Sequence, residues 1–266
     1  MNLSTPKGMG SGFPLREWVS RSQDFESFCI EKLLDSHDRH SGDSSRFAAA
    51  RDPCSVALVA KVRWRGTLIG VQPRIRLMRS FDARSHTYLG YVLWVEGAIG
   101  AEEGEFLVAV GPGAQGRLGF RAGDRLSGVG EWVANPLEEI AELYKVSGLK
   151  VEARGEEAKQ GGPPFHALAP PLPVYRERGH RRLKEESYEE KCRTCVWGCR
   201  MPVEMIVDHW NPSKVKHRTE TFCYGPLSCP SYDAGSRRRV PGRKGATWTE
   251  DDWVDEDATS HRGRDE

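Results

Sequence analysis

The sequence predicts a mainly β protein with some helix (α+β): a small β-barrel, then a β-hairpin module stabilised by metal. Three observations lead there. Residues 55–133 break into short runs rich in β-branched and aromatic side chains, punctuated by glycines. Residues 192–229 hold five of the seven cysteines, in two clusters on either side of a strand–turn–strand pattern. Residues 15–34 place Leu15, Trp18, Val19, Phe25, Phe28, Cys29 and Leu33 at helical spacing.

Taken in order, residues 1–54 form a Gly/Ser/Pro-rich start and an amphipathic helix. Cys29 falls on its apolar stripe and reads as a core thiol. His37 and His40 fall in a polar loop with nothing beside them to complete a metal site. Residues 55–154 form the barrel, with strands expected over 56–64, 74–79, 88–95, 105–110 and 126–133. Asn135-Pro136 followed by acids reads as a helix start, with Ile140, Leu143 and Tyr144 on its apolar face. Residues 155–174 are Pro/Gly-rich and read as a linker. Residues 175–266 are the cysteine module and its tail. Residues 175–191 are dense in both charges and read as a solvated helix. Trp248 and Trp253 suggest that the charged tail packs back on the protein.

The 266 residues allow one large domain or two smaller ones. The formal charge of +1 means that attraction to nucleic acid would need a local patch. No apolar run of about 18 residues is present, so no membrane span is expected. Residues 1–13 lack the apolar core of a secretion signal. A cytoplasmic, reducing location is the expectation, and there clustered cysteines mean metal or redox chemistry more often than disulfides.

The sharpest signal is Cys192-x2-Cys195 before the hairpin and Cys223-x5-Cys229 after it. A hairpin brings its two ends together, which a tetrahedral thiolate site requires. The first spacing is usual for zinc. The second is wide, and Cys199 stands as a substitute ligand. The stretch resembles a zinc ribbon, which implies a structural zinc. An iron–sulfur cluster also takes four thiolates, and Pro230 directly after Cys229 fits the Cys-Pro ending of bacterial ferredoxin motifs. The hairpin favours zinc. His209 and His217 flank the turn, away from the cysteines.

Residues 55–153 resemble an OB-fold in strand count and in the phrase Phe120-Arg-Ala-Gly-Asp124-Arg-Leu-Ser-Gly128. OB-folds usually carry a helix between their third and fourth strands, whereas here the expected helix falls late. On such a barrel, Arg63, Arg65, Arg74, Arg76 and Arg79 with Tyr88 would pair phosphates with guanidinium groups and stack bases on the ring. A solvated outer face is the alternative. Phosphate-loop, His-Glu-x-x-His and Gly-x-Ser-x-Gly signatures are absent. The sequence thus points to a non-enzymatic, metal-binding protein for single-stranded nucleic acid. Two rivals remain open: an iron–sulfur electron carrier or enzyme subunit, and an assembly subunit that binds a protein or an acyl ligand.

Overall fold

The structure, a computed structural model, describes residues 61–156 and 161–263. The expected N-terminal helix, with Cys29, His37 and His40, lies outside them. The described chain is mainly β, built on a mixed sheet of eight strands.

Strand β1, Lys61–Arg79, organises the molecule. It joins two runs that the sequence shows as separate strands. A bulge at Ile69, between Leu68 and Gly70, shifts the register against β2 (Arg84–Ile99). An extra residue reverses which side chains face inward. Before the bulge Trp64 and Leu68 enter the core; after it Val71, Ile75 and Leu77 do.

The first half of β1 also pairs with β4 (Arg125–Trp132). With β3 (Glu102–Val110) and β5 (Leu143–Ala153) these strands close a ring in the order β1, β2, β3, β5, β4 and back to β1. Neighbours are antiparallel except β3 and β5, which meet in parallel at Val108 and Leu143. Trp64, Leu93, Val95, Phe106, Leu126 and Leu143 fill the ring.

The late helix is not formed. Asn135 instead makes a turn, its Oδ1 accepting Leu137 N at 3.1 Å. The chain then hooks onto β3: Glu142 N donates to Leu107 O at 3.0 Å, and the Glu142 carboxylate accepts Leu107 N at 2.5 Å. Leu143 therefore enters the barrel fully buried, which outweighs a helix start only a turn long. The barrel's helix, α1 (Pro112–Leu118), comes between β3 and β4 and ends at Gly119 with φ 54°.

The expected hairpin is present: β7 (Gly198–Ile206) runs antiparallel to β8 (Val215–Cys223), with Gly198 opposite Cys223. β7 also lies parallel to the end of β1, Leu77 opposite Val203. The barrel and hairpin are thus one sheet, which β6 (Arg181–Arg182) completes beside β8. Residues 161–171 hold no regular element and bind both sides: Tyr91 donates to Pro170 O at 2.8 Å, and Val196 N to Phe165 O at 2.9 Å.

Residues 175–191 are not one solvated helix. They comprise the end of α2 (Leu172–Arg178), β6, the single turn α3 (Glu185–Ser187) and a wider turn over Tyr188–Cys192. Their charge density conceals two buried rings, Tyr175 and Tyr188, which dock the segment.

The tail folds back, held by ion pairs and by one ring contact, Trp248 on Phe81. Arg182 is held by Asp252 at 2.7 Å and by Asp255 of α4 (Trp253–Thr259) at 2.9 Å. Trp248, on the small hairpin of β9 (Arg239–Pro241) and β10 (Thr247–Thr249), is 50% exposed, and Trp253 is 61% exposed. No helix among the described residues is long and apolar enough to cross a membrane.

Candidate metal centre and the outer face of the barrel

Cys192, Cys195 and Cys223 share one buried cluster with Leu183 and Tyr188, covered by Phe165, Trp197 and Tyr232. Hairpin pairing makes this inevitable, because Gly198 opposite Cys223 brings the end of the first cysteine turn to the start of the second. Each turn is closed by its backbone: Cys195 N donates to Cys192 O at 3.1 Å, and Cys229 N to Pro226 O at 3.1 Å. Amide groups point at sulfur as well. Phe165 N donates to Cys195 Sγ at 3.4 Å, and Gly225 N to Cys223 Sγ at 3.3 Å. Such donors favour thiolate over thiol.

The environment otherwise opposes ionisation. Burial, and then the neighbouring Cys195, Cys223 and Cys229, push the Cys192 thiol up to about 12. Burial pushes Cys195 up to about 11 and raises Cys223. A cation among the sulfurs would reverse that balance. Arg181 shapes the second turn, donating to Pro226 O at 2.9 Å while its guanidinium lies 3.7 Å from the Tyr232 ring centre. The five cysteines of this stretch are free thiols, with Cys229 half-buried. Among the described residues, no group of three or more His, Cys, Asp or Glu side chains is arranged to hold a metal ion.

Cys199 stands apart. It is fully buried in the barrel-side core, its Sγ donating to Pro73 O at 3.3 Å, and burial raises its thiol strongly. His209 is exposed 4.0 Å from Asp82, and His217 is half-buried on β8.

The first cysteine turn sits directly on the outer face of β1. A Cβ on Gly70 would lie 2.8 Å from Thr194 Cα, and one on Gly198 would lie 2.5 Å from Cys192 O. Only glycine permits those approaches. Between them, buried Gln72 donates to Cys192 O at 2.9 Å and Cys195 O at 3.0 Å, and accepts Tyr188 OH at 2.6 Å. Beneath the turn is a cavity of about 10 Å³, bordered by Gln72, Trp94 and Tyr188. That is room for about one water. Gln72→Leu is expected to cost about 3 kcal/mol in urea unfolding, because three buried bonds go at once, and Tyr188→Phe about 1 kcal/mol. Equal costs would show that the carbonyl contacts carry nothing.

The same turn spreads over β2 and β3, with Arg193 5.0 Å from the Trp94 ring centre and 3.1 Å from Glu105. The arginines expected to bind phosphate are accordingly divided. Arg74 and Arg76 do point the same way, with Ile75 and Leu77 inward, but Arg74 pairs with Glu139 and Arg76 donates to Glu138 O at 3.0 Å. Arg79 is 3% exposed, between Glu250 at 2.8 Å and Glu220 at 3.7 Å. Tyr88 is half-buried with Arg176 4.9 Å from its ring centre. Arg63 and Arg65 stay exposed, on the half of β1 that pairs with β4. Arg125, opposite Thr67, and Lys150, opposite Ser127, are exposed beside them. The sequence reading missed those two because they arrive from β4 and β5.

No family model, curated protein or solved structure matches the chain.

Proposed function

We propose that this is a non-enzymatic, single-strand nucleic-acid-binding protein: an OB-like barrel fused to a ribbon-like module whose Cys192, Cys195, Cys223 and Cys229 hold a structural zinc. What supports the reading is that Cys192, Cys195 and Cys223 share one buried cluster at the open end of the β7–β8 hairpin, with amides aimed at two of the sulfurs and Cys229 at the far end of the second turn. The donor set suits zinc, and bound zinc would cross-link the two turns and add folding free energy to the sheet they sit on. The OB-like assignment draws support from the ring order, from the parallel meeting of β3 and β5, and from α1 lying between β3 and β4. Barrel architecture alone does not choose a ligand. Nucleic acid is favoured over an acyl ligand by what the surface offers: Arg63, Arg65, Arg125 and Lys150 are exposed on one region of the barrel.

Fluorescence anisotropy with a labelled oligothymidylate tests the reading. Binding is expected to weaken steeply as salt rises, and Arg63→Ala with Arg65→Ala is expected to flatten the slope by about one phosphate's worth per lost contact. Absence of binding at low salt by correctly folded, metal-loaded protein would leave an assembly role in its place.

A further inference from the structure

Three segments far apart in sequence bring aromatic rings together at one surface. Phe81 lies between β1 and β2, His209 and Trp210 lie at the tip of the β7–β8 hairpin, and Trp248 lies on β10. Phe81 is the hub: its ring centre is 5.3 Å from that of His209 and 5.2 Å from that of Trp248. Rings that touch usually do so to become buried, yet these remain open. Phe81 and Trp248 are each 50% exposed, and Trp210 is 85% exposed. Holding large apolar rings in water forgoes the stabilisation that burial would give them.

Charges of both signs flank the rings. Lys214, Arg243 and Lys244 are exposed on the same two hairpins. The acids there include Asp82 and Asp208, which face His209 at 4.0 Å and Arg243 at 3.6 Å, and Glu204 on β7. Open rings interleaved with cations form a stacking platform: bases lie on the rings while phosphates meet the ammonium and guanidinium groups. A docking site for an apolar helix would instead need a continuous apolar groove, and the rings here are separated by charge.

We infer that Phe81, Trp210 and Trp248 are the surface on which this protein stacks single-stranded nucleic acid, in place of the β1–β3 face that its own cysteine turn covers. The inference rests on the nucleic-acid reading above and adds a stacking surface to the basic region at Arg63 and Arg65, which lies at the other end of β1.

The test uses the full chain and oligothymidylate. Trp210→Ala with Trp248→Ala is expected to weaken binding by about tenfold for each ring lost, leaving the salt slope nearly unchanged. Lys214→Ala with Lys244→Ala is expected to weaken binding and flatten the slope. Trp210→Phe should retain most of the affinity, since it keeps a stacking face. All these side chains are exposed, so circular dichroism should match wild type. If wild type binds and the double tryptophan variant binds equally, the platform is wrong while the nucleic-acid reading stands. If wild type binds no oligonucleotide at low salt, the reading itself falls. Binding of polyglutamate as tightly as oligothymidylate, lost in the tryptophan variant, would overturn the assignment to nucleic acid and make the surface one for an acidic protein.

Discussion

Replacing Cys195 with serine is expected to abolish metal binding and to unfold far more than the cysteine module. Cys195 is held from two sides: its sulfur accepts Phe165 N at 3.4 Å, and its carbonyl accepts Gln72 Nε2 from β1 at 3.0 Å. A structural zinc contributes on the order of 10 kcal/mol to folding, comparable with the whole stability of a typical domain. The turn leads directly into β7, which shares one sheet with β1, so the loss should reach the barrel. Thermal unfolding of the variant should lose its single cooperative transition, and proteolysis should cut on both sides of residues 155–174. Cys199→Ser is the matched control. Its thiol is buried against Pro73 O, away from the other four, so it should keep the metal and lose about 1–3 kcal/mol from burying a hydroxyl. Metal lost in Cys199→Ser but kept in Cys229→Ser would exchange those two as ligands.

Arg79→Met should give the next largest effect, about 3–5 kcal/mol lost in urea unfolding. Arg79 reaches Glu250 at 2.8 Å and Glu220 at 3.7 Å, and so joins the end of β1 to β8 and to the tail. Glu220 is 1% exposed. Removing one partner leaves buried carboxylates undercompensated, the costly way to break such a network. Arg218 and Arg238 still face Glu220, so the lower end of the range is expected. Arg84 also binds Glu250, at 3.0 Å, but from a position 34% exposed, so Arg84→Met should cost under about 1 kcal/mol. Equal losses in the two variants would mean that burial of Arg79 has no energetic consequence.

Where a pattern was local, the sequence disclosed it. The strand–turn–strand pattern marked β7 and β8, and the cysteine spacing marked which hairpin ends had to meet. What escaped depended on distant partners. The start of β5 was hidden because Asn135-Pro136-Leu-Glu-Glu has sound local helix chemistry, while its competitor, the edge of β3, lies 35 residues earlier. The bulge at Ile69 has no local mark, yet it sets which arginines face out. Gln72 falls between the strands expected at 56–64 and 74–79, and the groups it binds, Cys192 and Cys195, lie 120 and 123 residues later. Of the expected phosphate ligands on the latter half of β1, Arg74 and Arg76 face outward, whereas Arg79 is buried. Exposure failed because acids and a carbonyl of the 135–142 segment, the C-terminal half and the tail already occupy them. Tryptophan content correctly suggested a docked tail, and Arg182 with Asp252 and Asp255 adds ion pairs to the Trp248 contact.

The most direct test of the central claim is the metal content of anaerobically purified full-length protein, read together with its visible spectrum. One zinc per chain, a colourless solution, and loss of the metal in Cys192→Ser, Cys195→Ser, Cys223→Ser and Cys229→Ser is the expected result. Iron with sulfide and visible absorption would replace zinc by an iron–sulfur cluster on the same thiolates. Protein that is fully folded, carries no metal, and unfolds identically with and without a chelator would contradict the account.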